Sequence, residues 1–205
     1  MDVENRWRSV GLLIDTRPTQ LVGVIHMAIS LYDISVASFL QTLGGVAGFL
    51  DKGLTHCKAT GIDLNELVET RLQPDMLPFR FQVIAVAHHS LGAIEGVQAG
   101  LFKPPSGPMD QDYAGLQKLI TDARTKLQSV SRESIDKLEG KDVIFQLGQN
   151  KLPFVAEGFL LSFSMPNLHF HATTAYDILR MKGAPLGKRD YLGAQRPLSR
   201  GDERE

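Results

Sequence analysis

From Ser35 to Lys58 the apolar residues Phe39, Leu43, Val46, Leu50 and Leu54 return every three or four positions. That spacing lays them along one face of an α-helix. Asp33 or Ser35 can cap its start, and Gly61 can end it in a left-handed conformation. The stretch DLNELVETRL opens with Asp63 and Glu66 at capping-box spacing and predicts a short helix. PDMLPF is then a rigid corner, with Pro78 near the first turn of a helix running to about Ala99. Val83, Val86, Ala87, Ser90, Leu91 and Ile94 form the face of that helix expected to be buried. KPPSGP is a loop, and Asp110 or Asp112 begins a third amphipathic helix through Leu116, Leu119, Ile120, Ala123 and Leu127.

The rhythm then changes. DVIFQLGQNKLPFVAEG holds two β-rich runs around Gly148-Gln149-Asn150, which predicts a hairpin, with Pro153 suited to an edge strand. A last helix is expected from about Glu157 to Lys182, kinked at Pro166 and ended by Gly183. Four long helices and one hairpin make an all-α fold, a four-helix bundle with a small β-hairpin in a crossover before the last helix.

Composition narrows the function classes. A chain of 205 residues suits one domain with a full core. The net charge of -1, with no run of Lys or Arg, carries no nucleic-acid footprint. LVGVIHMAISLY is too short and too interrupted for a membrane span. Cys57 is the single cysteine, which excludes an internal disulfide and a thiolate metal cluster and suits a reducing, cytoplasmic setting. Residues 1–26 read as an N-terminal extension. Arg6, Arg8 and Arg17 are what a mitochondrial presequence would carry, but Asp2, Glu4 and Asp15 oppose that reading. The polar tail 195–205 is expected to be disordered, and its Arg200-Gly201-Asp202 triplet is coincidence. The sequence holds no Gly-rich phosphate loop, nucleophile elbow or HExxH pattern.

Histidine remains as the chemistry-bearing residue. On the last helix Phe163, Asn167, His171, Thr174 and Ile178 share one stripe that should face the interior. His169 is turned about 200° away from His171, beside Thr173, Tyr176 and Arg180. His88 and His89 flank the buried stripe of the second long helix, and periodicity leaves open which of them turns inward. His56 follows Phe49 and Gly53 near the end of the first helix. Inward histidines on facing helices are how bundles build metal sites. The plainer reading is that His171 and Asn167 hydrogen-bond each other or the hairpin backbone and fix helix register. His169 and His26 read as surface or packing residues, Asp75 as a helix cap after Pro74, and Cys57 as inert. Lys188, Arg189 and Asp190 are expected to tie the C-terminal segment to the bundle by ion pairs.

Three segments carry a resemblance: MAISLYDISVASFLQTLGGVAGFLDKGLTHC, RLQPDMLPFRFQVIAVAHHSLGA and MPNLHFHATTAYDILRMKGAPLGKRDYLGA. They resemble a domain-of-unknown-function branch of the DinB/YfiT-like superfamily, a group of candidate metalloenzymes, found in bacteria and fungi. The PDM-x-P corner and the closing GKRDYLG are its most specific motifs, and the likeness spans residues 27–194. It implies a DinB-like four-helix bundle of up-down-down-up topology, often a homodimer. It also implies a divalent metal (Zn, Ni or Mn) held by a His of the second helix and an H-x-x-x-H pair on the last. His89, or else His88, matches the first position and His171 the second His of the pair. Asn167 stands where the first would be, and an amide is a poor donor to zinc or nickel. His56 would complete such a shell, with oxygen from Tyr32, Asp33 or Asp75 at the bundle mouth.

Two function classes follow. One is a divalent-metal-dependent hydrolase or thiol-using transferase or isomerase acting on a small molecule. The other is a metal-free protein, binding a small ligand or associated with stress, that catalyses nothing. Asn167 leaves that choice open.

Overall fold

In the computed structural model, which describes residues 29–196, helical structure begins earlier than the periodicity implies. The extension 1–26, with His26, and the Arg200-Gly201-Asp202 triplet lie outside the described residues. Ser30 caps a short helix α1 (Leu31–Ile34), its hydroxyl accepting from the Asp33 N–H. Then α2 (Val36–Thr60) follows after Ser35. Neither Asp33 nor Ser35 caps α2: the Ser35 hydroxyl donates back to the Leu31 carbonyl at 2.6 Å, and Asp33 receives a two-pronged pair from Arg132 at 2.7 Å on each oxygen. Gly61 ends α2 as expected, at φ 75°, a conformation that costs a residue without Cβ nothing.

Asp63 caps α3 (Leu64–Glu69) by accepting from the Asn65 N–H at 2.8 Å. Asp75 is not a cap. It is exposed in a turn closed by the Met76 N–H on the Gln73 carbonyl, and the next helix starts only at Phe79, with Pro78 at its N-cap. That second long helix has three parts: α4 (Phe79–Ala87), a π-helical stretch (His88–Gly92) and α5 (Ala93–Ala99). A two-residue strand β1 (Leu101–Phe102) comes next. Asp112, rather than Asp110, caps α6 (Tyr113–Gln128) through the Gly115 N–H at 2.7 Å, and α7 (Arg132–Asp136) follows.

Strands β2 (Asp142–Leu147) and β3 (Asn150–Val155) form the expected antiparallel hairpin, with Ile144 opposite Pro153. β1 adds a parallel partner to β2, so the sheet order is β1-β2-β3 and Pro153 lies on an edge strand. The last long helix runs through α8 (Ala156–Gly158), a second π-helical stretch (Phe159–Ser164) and α9 (Met165–Met181). Pro166 therefore sits in the first turn of α9, directly behind a widened stretch, and not inside a regular helix that it would have to kink. Proline lacks the N–H that the preceding turn would use, and the π register relieves both that loss and the crowding.

The protein is a four-helix bundle with a small sheet at one side. α2 packs on α6 and α9, and α4 packs on the same two. Phe39, Leu43, Phe49, Leu50, Phe79 and Phe159 are fully buried between them. The stretch Leu31–Thr60 is long and apolar enough by composition to cross a membrane, yet its Phe39, Leu43 and Phe49 lie in the core of this bundle. A final short helix, α10 (Lys188–Leu192), folds back on α2. There a Cβ on Gly45 would collide with the Tyr191 carbonyl. Gln41 donates to the Leu192 carbonyl at 3.1 Å, and Lys52 pairs with Asp190 at 2.6 Å. Of the three expected tethers, Asp190 acts as one, while Lys188 and Arg189 stay exposed.

Candidate functional site

The first π stretch decides where the two adjacent histidines go. Widening the turn by one residue shifts the side chains after Ala87 around the helix, and His88 and His89 meet different neighbours. His89 is 9% exposed and faces α9. Its ring lies 5.8 Å from that of His171, with planes 13° from parallel, and 5.8 Å from the ring of Phe163. The second π stretch ends at Ser164, which is fully buried. Its hydroxyl donates to the His89 carbonyl at 2.9 Å and stands 3.5 Å from His89 Nδ1. The two widened segments therefore meet each other at His89 and Ser164, where a hydroxyl answers a buried backbone acceptor.

Gln82 organises the other imidazole. It is 2% exposed on α4, seven residues before His89. Its Nε2 donates to the Leu77 carbonyl at 2.8 Å, which fixes the amide so that Oε1 points at His171 Nδ1, also 2.8 Å away. An amide oxygen only accepts, so His171 carries its proton on Nδ1 and keeps a lone pair on Nε2.

Burial keeps both rings neutral. Desolvation pushes the His171 pKa down to about 4. It pushes His89 to about 3, with His88 and His171 adding smaller electrostatic contributions. The site carries no charge of its own at neutral pH. Aromatic rings surround it: Phe81 lies 5.8 Å and Phe170 5.2 Å from His171, both edge-on. Phe170 is 57% exposed, and His171 is half-buried, so this end of the site reaches the surface.

His88 turns the other way. Its Nε2 donates to the Lys103 carbonyl at 2.8 Å and its ring lies 4.4 Å from Phe102. Burial lowers its pKa, and the bond to Lys103 works in the opposite direction.

The remaining candidates are not brought to the pair. Asn167 shares the stripe of His171 but donates to the Phe163 carbonyl of its own helix at 2.7 Å, so the two do not hydrogen-bond each other. His56 donates from Nε2 to the Lys182 carbonyl at 3.0 Å, joining the end of α2 to the segment after α9. Tyr32 lies under the Arg132 guanidinium, 4.7 Å from ring to charge, at the contact of α1 with α7. The same guanidinium bonds Asp33 and holds its carboxyl down at about 2. Asp75 is in its exposed turn. His169 lies on another face of α9 than His171, with Nδ1 3.1 Å from the Tyr191 hydroxyl. Cys57 is buried, and desolvation raises its thiol pKa.

Among the described residues, no three His, Cys, Asp or Glu side chains gather to hold a metal ion. The side chains that hydrogen-bond to His89 and His171 are the neutral Ser164 and Gln82, and Gln82 is engaged through its oxygen. A zinc or nickel centre uses a third imidazole, thiolate or carboxylate. This donor set does not fit one.

Periodicity missed Gln82 and Ser164. Gln82 had a signal: it is the one uncharged polar residue in FRFQVIAVA, two helical turns ahead of His89. Ser164 had one as well: it stands four residues after Leu160 and four before Leu168, on a stripe that continues through Ala172 and Ala175 and is fully buried.

A family model described as a domain of unknown function (DUF1993) matches residues 31–192. Among solved structures, the crystal structure of a DinB family member protein from Shewanella denitrificans superposes with a TM-score of 0.69 at 25% identity. The match covers 82% of this chain and 95% of that one. Comparison with curated proteins gives no match.

Proposed function

The chain belongs to the DUF1993 family of unknown function and has a DinB-like fold, and from that premise we propose that it is a small-molecule-binding bundle centred on His89 and His171. The observation that carries this reading is the Leu77–Gln82–His171 relay, which leaves the Nε2 lone pair of a neutral imidazole as the acceptor of the site. A ligand would donate an N–H or O–H to that nitrogen and lay its apolar part against Phe81, Phe163 and Phe170.

The lowered pKa of His171 favours binding over base catalysis. A general base works best with a pKa near the operating pH, and about 4 is well below it. A metal-dependent hydrolase or thiol transferase would need the third strong donor that this set lacks. A homodimer in the cytoplasm, with no nucleic-acid or membrane partner, belongs to the same proposal; the near-neutral charge of -1 supports the exclusion of nucleic acid.

The test is nitrogen-detected NMR of the histidines during titration with phenol and with benzamide as donor probes. The expected result is a saturable shift at His171 Nε2 that is retained in His169→Phe, with an accompanying shift at His89, stacked on it, that is absent in His171→Phe. Stoichiometric zinc, nickel or manganese in dialysed, tag-free protein would replace this reading with the metal one.

A further inference from the structure

A hollow of about 460 Å³ is bordered by the first π stretch on the side of His88. One wall is α4, the π stretch and α5, the facing wall is α6, and the loop 103–108 forms the roof. Ile84, Ala87 and Leu91 on the first wall and Leu119 and Ala123 on the second make its surface apolar, and three prolines of the roof continue that surface. His89, His171 and Gln82 take no part in it.

One acceptor interrupts this apolar surface. The Lys103 carbonyl can only accept, so its hydrogen bond at 2.8 Å places the His88 proton on Nε2 and leaves a lone pair on Nδ1. Burial lowers the His88 pKa, so the ring is neutral and that lone pair is present at neutral pH. Nδ1 belongs to the edge of the ring that faces Gly92, another residue of the hollow. A Cβ added at Gly92 would stand 3.0 Å from Nδ1 and 3.6 Å from its ring neighbours Cε1 and Cγ. Among the described residues no group donates to Nδ1, and with no side chain at position 92 its approach stays clear. The charged residues on the border are balanced, Glu95 and Asp122 against Lys103 and Lys126, and Asp122 is already engaged by Lys118 at 2.5 Å.

We infer that this hollow binds a small neutral molecule, largely apolar, whose single N–H or O–H donates to His88 Nδ1 while its body lies between the α4–α5 helix and α6. Apolar walls with a few placed polar groups are how proteins hold and orient such ligands, and the volume lies in the range of their sites. A charged ligand would give up its hydration to apolar walls and to a border that favours neither sign. The inference does not rest on the His89–His171 reading, since it uses the other histidine of the π stretch.

The test is nitrogen-detected NMR of the full chain during titration with indole and with 1-methylindole, which keeps nearly the same shape and lacks the donor. Indole is expected to give a saturable shift at His88 Nδ1. 1-Methylindole should bind there about tenfold more weakly, the loss of one neutral hydrogen bond. Gly92→Ala crowds Nδ1 while leaving the bond to Lys103 in place, and it should weaken indole at His88. His171→Phe, in the other site, should leave the His88 response as it is. Melting curves establish that each variant is folded. Absence of a saturable His88 shift at millimolar indole, equal affinity of the two probes at His88, an unchanged response in Gly92→Ala, or loss of the response in His171→Phe would overturn the proposal.

Discussion

Gln82 and His171, 89 positions apart in sequence, meet at 2.8 Å between Oε1 and Nδ1, and the Leu77 carbonyl fixes which way the amide faces. A buried amide with both ends engaged has one orientation only. The tautomer of His171 follows from it, and with it the identity of the nitrogen left to a ligand.

Gln82→Leu removes that constraint and leaves the Leu77 carbonyl without its donor. We expect a loss of about 1–3 kcal/mol in stability, the range for an unsatisfied buried polar group. The His171 nitrogen signals should also move toward a mixture of tautomers. Chemical denaturation and nitrogen-detected NMR measure the two effects. An unchanged Nδ1–H tautomer in the variant would refute the relay.

Acid should destabilise the protein before its carboxylates titrate. The folded pKa values of His89 and His171, about 3 and about 4, lie below the ordinary value of 6.5. Below pH 6.5 the unfolded chain takes up protons that the folded one refuses, so stability falls with falling pH. The contribution is complete above 6.5 and drains away as pH drops toward 4 for His171 and toward 3 for His89. Melting temperature against pH should decline across this window, and His89→Phe should flatten the decline. An identical slope in variant and parent would count against a buried neutral His89.

His171 and His169 should respond unequally to truncation. His171→Ala strands the Gln82 oxygen and is expected to cost about 1–3 kcal/mol. His169 is exposed, so His169→Ala should stay within about 0.5 kcal/mol of the parent. Any ligand or metal uptake by the pair should vanish in the first variant and persist in the second. Greater damage from His169→Ala would place the working face of α9 elsewhere.

Adjacent glycines on α2 make a matched pair. A Cβ on Gly45 collides with the Tyr191 carbonyl, whereas one on Gly44 meets nothing within 4 Å. Gly45→Ala should loosen α10, seen as faster proteolysis around residues 183–194. Gly44→Ala should be neutral or stabilise by about 0.5–1 kcal/mol through helix propensity. Equal proteolysis in both would mean that α10 is not held by this close approach.

The sequence by itself determined the features that short-range chemistry decides. The apolar period of α2, its end at Gly61, the Asp63 cap, the hairpin around Gly148 and the divergence of His169 from His171 are consequences of neighbours a few residues apart. Only the tertiary structure decided the rest. Ser30 caps the earlier α1 and Asp33 turns to Arg132, because a partner 99 positions away outbids a local role for the carboxylate. β1 is a strand because β2 lies beside it. The histidines depend on tertiary structure most of all. A regular 3.6-residue repeat cannot foresee a one-residue widening at His88–Gly92, and it is that widening which sends His89 toward His171 and His88 toward Lys103. Asn167, on the right stripe by periodicity, turns to its own backbone, while Gln82 from another helix becomes the partner of His171. Periodicity specifies which face a residue occupies; which donor meets which acceptor is settled only when two helices come together and each buried polar atom must find a partner.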